Sequence, residues 1–148
     1  MRADLAALRF LAIACAAILL TIGGLSSLFA GGSNCTGGEA DLVMLTIYAG
    51  LGFGGACILA CAAPRRIRGW MLILAGAPFI YSGAGSANVT YRWWALGWSA
   101  CRTFTGEVYP MDGGEGSAAP LTVGLVLAIT ALLWTVDWRA SKRKTPRT

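Results

Sequence analysis

Residues 42–64 read LVMLTIYAGLGFGGACILACAAP, and residues 65–68 continue RRIR. The first stretch carries no charge over 23 positions and then meets three arginines in four. At about 1.5 Å rise per residue, some 20 apolar residues in a helix cross the roughly 30 Å hydrocarbon core of a bilayer. A charge at the centre of that core costs at least about 2.5 kcal/mol, so the arginines mark an edge. Barrel strands would alternate with period two in segments of about ten residues, and this stretch is uniformly apolar. The reading is a membrane-spanning helix.

Outward from it, uncharged stretches recur at 10–38, 69–91 and 116–136. They predict helical spans at 11–30, 42–63, 70–86 and 121–138, separated by outer loops at 31–41 and 87–120. Pro78 is expected to kink the third span, whose Gly/Ser/Ala-rich tail weakens it. The fold class is therefore an all-α membrane protein, a four-transmembrane-helix bundle forming one polytopic domain over 1–148. Composition agrees: 56% of the 148 residues are hydrophobic and 13% charged, against roughly a quarter charged in soluble domains. Phe29-Ala30-Gly31 faintly resembles a signal-peptide cleavage site, but the apolar run ahead of it exceeds the usual 7 to 15 residues, so the first span is expected to be retained.

Direction follows from the basic residues. Arg2, Arg9, Arg65, Arg66, Arg68, Arg139, Lys142, Arg143, Lys144 and Arg147 place ten of twelve Lys/Arg on one side. The other side holds Arg92 and Arg102 with five of the seven acids, Glu39, Asp41, Glu107, Asp112 and Glu115. The positive-inside bias makes the first side, with both termini, cytoplasmic. Trp70, Trp134 and Trp138 fall near the inner interface, where indoles belong. The basic tail 139–147 reads as a topology anchor that attracts anionic head groups rather than as a nucleic-acid site.

The loop at 87–120 is the largest segment outside the spans and is aromatic: Tyr91, Trp93, Trp94, Trp98, Phe104 and Tyr109. As one helix it would align Tyr91, Trp94, Trp98 and Cys101 at i, i+3, i+7 and i+10, a mostly aromatic stripe. Trp93, Trp94, Trp98, Arg92 and Arg102 are the candidate partner-binding residues, since Trp, Tyr and Arg dominate binding hot spots; interfacial anchoring is the alternative use of such a stripe. Cys35 and Cys101 are the two cysteines in outer loops, and in an oxidising compartment a disulfide between them is expected. Cys15, Cys57 and Cys61 lie within spans and read as small packing residues, with no metal assigned. Gly50 and Gly54, with Gly52, Ala56 and Ala60 at further four-residue steps, form a small-xxx-small face for close helix packing, inside the bundle or between two copies. Asn34-Cys35-Thr36 and Asn88-Val89-Thr90 are glycosylation sequons.

Function follows by elimination. The chain has no His, which removes the commonest general base and metal ligand. In outline, four spans with outer-loop cysteines resemble membrane thiol oxidases, but such enzymes need Cys-x-x-Cys pairs and each loop here has one cysteine. No catalytic residue and no cofactor are assigned, and the chain is expected not to be an enzyme. Proton-coupled exporters need an intramembrane carboxylate; here the deeper polar residues are Thr21, Ser26, Ser27, Thr46, Tyr48, Tyr81, Ser82 and Thr130. The expected function is binding of another membrane protein or a membrane-inserted peptide. Concrete versions are an accessory subunit, or an immunity-type protein guarding a bacterial inner membrane against a membrane-acting toxin. An oligomeric pore or transporter component is the alternative.

Overall fold

In a computed structural model the protein is described over residues 2–30, 38–106 and 113–142. Five helices follow in order: α1 (Arg2–Ala30), α2 (Gly38–Ala62), α3 (Arg65–Leu96), the short α4 (Ala100–Thr105) and α5 (Gly113–Lys142). All but α4 are long and apolar enough to cross a membrane, over Asp4–Ala30, Leu42–Ala62, Arg66–Leu96 and Gly116–Trp134.

The four long helices pack as a square. α1 and α5 each lie between α2 and α3, so α2 and α3 occupy a diagonal although only Ala63 and Pro64 join them. Cross-helix neighbours give the directions. Arg9 near the start of α1 donates to the Ala62 carbonyl at the end of α2, which makes that pair antiparallel. Ser82 reaches Ser27, while Gly24 faces Ala75 and Pro78, so α1 and α3 run parallel. Gly83 faces Val126 and Gly116 faces Trp93, so α3 and α5 are antiparallel. Arg2 and Lys142 therefore share one end of the bundle, and α4 sits at the other.

Two cores result. Toward the termini, Ala16, Leu20, Ala56, Leu59, Ala75, Phe79, Val126, Ile129 and Leu133 form an apolar cluster. Phe79, 1% exposed, is wedged against the backbones of Gly23, Gly24 and Gly52. At the α4 end, Leu42, Leu45, Val89, Ala100, Ala118 and Ala119 form a second, smaller cluster. Outward-facing Leu, Ile and Phe side chains cover the rest of the long helices, as expected where lipid is the solvent.

Three features go beyond what each segment shows by itself. Helix α3 continues past the expected span end at 86 to Leu96, because its small residues let neighbours approach and packing overrides their weak helix propensity. Gly83 admits Val126 of α5, and Gly85 lies against Phe104 of α4. Helix α5 begins at Gly113, ahead of the expected span start at 121, and runs through Pro120, with Gly116 packed under the Trp93 indole and Ala119 1% exposed. The stretch between helices α3 and α5 is thus 97–112. Third, a Cβ at Gly50 or Gly54 would meet nothing within 4 Å. The close approach falls on their neighbours on the opposite face. A Cβ on Gly55 would lie 2.8 Å from the Ala16 carbonyl oxygen, and one on Gly23 would lie 2.7 Å from that of Tyr48.

Candidate functional site

The aromatic end is built by two reversals. α3 ends at Gly97, whose φ of 64° is the left-handed conformation that a glycine adopts without a Cβ penalty. The Gly97 N–H donates to the Trp93 carbonyl and the Trp98 N–H to that of Arg92, so orphan carbonyls of the last turn are satisfied. Ser99 then caps α4: its Oγ accepts from the Arg102 N–H at 3.2 Å, and its own carbonyl accepts from the Thr103 N–H and hydroxyl. Gly106, at φ 80°, ends α4 after six residues. Ser99, Ala100 and Cys101 are all buried, so α4 plugs the end of the bundle.

The continuous stripe of Tyr91, Trp94, Trp98 and Cys101 is therefore broken at Gly97. Tyr91 and Trp94 remain on α3 and point outward, 70% and 77% exposed. Trp98 lies past the reversal, half-buried between two arginines: the Arg92 guanidinium carbon is 5.1 Å and that of Arg102 is 4.7 Å from its ring centroid. Arg92 Nε also donates to Asn88 Oδ1 at 3.1 Å, one turn back on α3. Trp93 turns inward onto Gly116 and meets Trp94 edge to face at 6.5 Å. The five candidate residues are thus gathered at one corner with divided tasks. Trp93 braces α3 against α5, Trp98 holds two cations, and Trp94 is presented.

Hydroxyl groups bind the helices together beneath this corner. Ser82 Oγ donates to Ser27 Oγ at 3.2 Å, and Ser27 in turn to the Gly24 carbonyl at 2.7 Å, linking α3 to α1. Thr46 and Thr122 hydroxyls lie 2.9 Å apart and each reaches the Ala118 carbonyl, linking α2 to α5. Ser27 and Thr122 are 0% exposed. Thr46, Ser27 and Ser82 are visible in the sequence as intramembrane polar residues; Thr122 is not among those expected, although its hydroxyl in an apolar span is the available signal. The reversal residues Gly97, Ser99 and Gly106 are equally readable as cap chemistry.

Cys15, Cys57 and Cys61 are free thiols, whereas Cys101 is not free and is 3% exposed. Cys35 lies outside the described residues, as do Tyr109 and the carboxylates Glu107 and Asp112. The Asn88 sequon falls within α3, with Asn88 engaged by Arg92 and Val89 buried. No protein family, characterised protein or solved structure matches this chain, so the functional argument rests on its own residues.

Proposed function

We propose that this multi-pass chain acts by occupancy, binding another membrane protein or a membrane-inserted peptide through the corner formed by α3 and α4. The observation that carries the reading is Trp94. It is a large aromatic standing 77% exposed on a helix whose neighbours, Trp93 on Gly116 and Trp98 between Arg92 and Arg102, are already held in place. A rigid aromatic presented from a braced surface loses little entropy on binding, which is why such residues serve as hot spots. The chemistry is non-catalytic in this reading. Accessory-subunit and toxin-immunity roles at a bacterial inner membrane are its two concrete forms.

The orientation belongs to the same proposal. The end carrying both termini faces the cytoplasm because ten of the twelve basic residues flank it. Arg9, hydrogen-bonded to the Ala62 carbonyl, and outward-facing Trp70 and Trp134 support that end as an interface. The α4 end is then exported, and Cys101 is proposed to pair with Cys35 and tether α4 to the 31–37 connection. Reporter fusions at 148 and within 107–112 should read cytoplasmic and exported respectively; an exported C-terminus overturns the orientation. Non-reducing peptide mapping should recover Cys35 and Cys101 in one linked species.

The binding reading is tested by co-purification with Trp94→Ala, whose membrane level should be normal and whose partner capture should fall by about 2 kcal/mol or more. A second reading, an oligomeric pore, is favoured by one feature: Gly50 and Gly54 lie open on α2, where another copy could approach closely. Ion flux from the purified protein in liposomes, with partner capture unchanged in Trp94→Ala, would replace the first reading by the second.

A further inference from the structure

We propose that the Arg92–Trp98–Arg102 corner holds the phosphate of an anionic phospholipid. This goes beyond the partner-binding reading and uses different side chains from Trp94. Two guanidinium groups share one indole, at 5.1 and 4.7 Å. A guanidinium held over a ring can still bond through its N–H groups; Arg92 Nε is engaged by Asn88 Oδ1, and its terminal N–H groups and the Arg102 fork match phosphate oxygens. Two like charges on one ring repel, and an anion beside both offsets the repulsion. Both guanidiniums lie on the Trp98 ring, and Arg92 also bonds the Asn88 side chain.

Depth selects the anion. α3 has 32 residues, about 48 Å of helix against a hydrocarbon core of about 30 Å. With Arg66 and Arg68 at one interface, roughly 20 residues of helix reach the other near residue 88. Arg92 then lies within the head-group layer, which adds about 5–8 Å on each side of the core. α4 returns to the same level, because Phe104 packs within 3.7 Å of where a Cβ on Gly85 would sit, and it carries Arg102 back with it. Tyr91, Trp94 and Phe104 are exposed around the corner, as amphipathic or apolar rings are where head groups meet acyl chains. An anion standing at that depth in every direction along the membrane is lipid phosphate. The assignment holds whichever compartment the α4 end faces.

The test uses the full chain in neutral detergent, titrated with phosphatidylglycerol or phosphatidylcholine and read by native mass spectrometry and thermal midpoint. A basic tail attracts anionic head groups as well, so the comparison is between variants that all keep it. Wild type should retain one more tightly held phosphatidylglycerol than Arg92→Gln/Arg102→Gln, with affinity at that site falling roughly thirtyfold for two lost head-group charges. Arg102→Gln alone, at an exposed position, should show a smaller loss and serves if the double variant folds poorly. Arg92→Lys/Arg102→Lys keeps the charge without the planar fork and should fall between, while Trp94→Ala should retain the lipid even where it loses the protein partner. Equal lipid retention by wild type and the Gln variants overturns the proposal. So does equal affinity for phosphatidylcholine, or saturation of the corner by an acidic peptide with no response to phosphatidylglycerol.

Discussion

Toward the termini, the helices meet through Leu20, Leu59, Ile129 and Leu133 around the Phe79 ring; toward α4, they meet through Ser27–Ser82 and Thr46–Thr122 hydroxyl pairs with Val89 and alanines between them. In water the first arrangement would be driven by apolar burial. In a bilayer lipid tails are as apolar as Leu, so what holds that half is shape: glycine backbones admit a ring, and the dispersion attraction between ring and backbone has no substitute once the ring is removed. The second half adds direction, because a hydroxyl bond fixes which residue faces which. Shape complementarity sets how tightly the bundle closes, and the hydroxyl pairs set register at the end where the aromatic corner must be held.

The comparison can be broken first at Phe79. Phe79→Ala should lower stability by about 3 kcal/mol, near the low end for buried aromatics because the side chain was withdrawn from lipid and the cavity term dominates. Thermal unfolding in detergent would check it, and a loss below about 0.5 kcal/mol would mean the ring is not the wedge described. Gly23→Ala should follow at about 2 kcal/mol, since the new methyl meets the Tyr48 backbone carbonyl and not a side chain that can swing away. Separation of α1 from α2, measured by cross-linking, should accompany that loss.

The hydroxyl half should respond more weakly. Ser82→Ala should cost about 0.6 kcal/mol, the typical size of an interhelical hydrogen bond in a membrane bundle. In a double-mutant cycle, Ser27→Ala should add almost nothing once Ser82 is gone; full additivity would show that the two hydroxyls act separately. Smallest of all, Gly50→Ala and Gly54→Ala should change stability by less than about 0.5 kcal/mol, because the added methyl meets no atom. If those substitutions instead shift the oligomeric state at unchanged thermal midpoint, the open face of α2 is an interface between copies.

Much of the molecule is legible from residues alone, and the differences from structure have one origin. The four helices long and apolar enough to cross a membrane follow from uncharged length, a local property. The end of α3 and the start of α5 escape such a reading because Gly83, Gly85, Ser86, Gly116 and Pro120 weaken a helix considered by itself, while in the bundle the glycines among them are the positions that let Val126, Phe104 and Trp93 come close. The glycine pair differs by one face: Gly50 and Gly54 match a packing pattern, yet Gly52 and Gly55, on the opposite face, meet Phe79 and α1. A repeat of small residues states that some face is smooth, not which face is covered.

The residues by themselves determined that four stretches are long and apolar enough to cross a membrane, where the charge lies, and that three of the six tryptophans fall beside Arg92 and Arg102. Those properties depend on transfer between water and lipid, which is additive along the sequence. Only the tertiary structure decided that α2 and α3 are diagonal, that Phe79 seats among three glycines, and that of three neighbouring tryptophans one braces, one carries two guanidiniums and one is presented. Those outcomes depend on steric fit between segments far apart in the chain, and on a left-handed glycine at position 97 that turns the aromatic stripe into a corner.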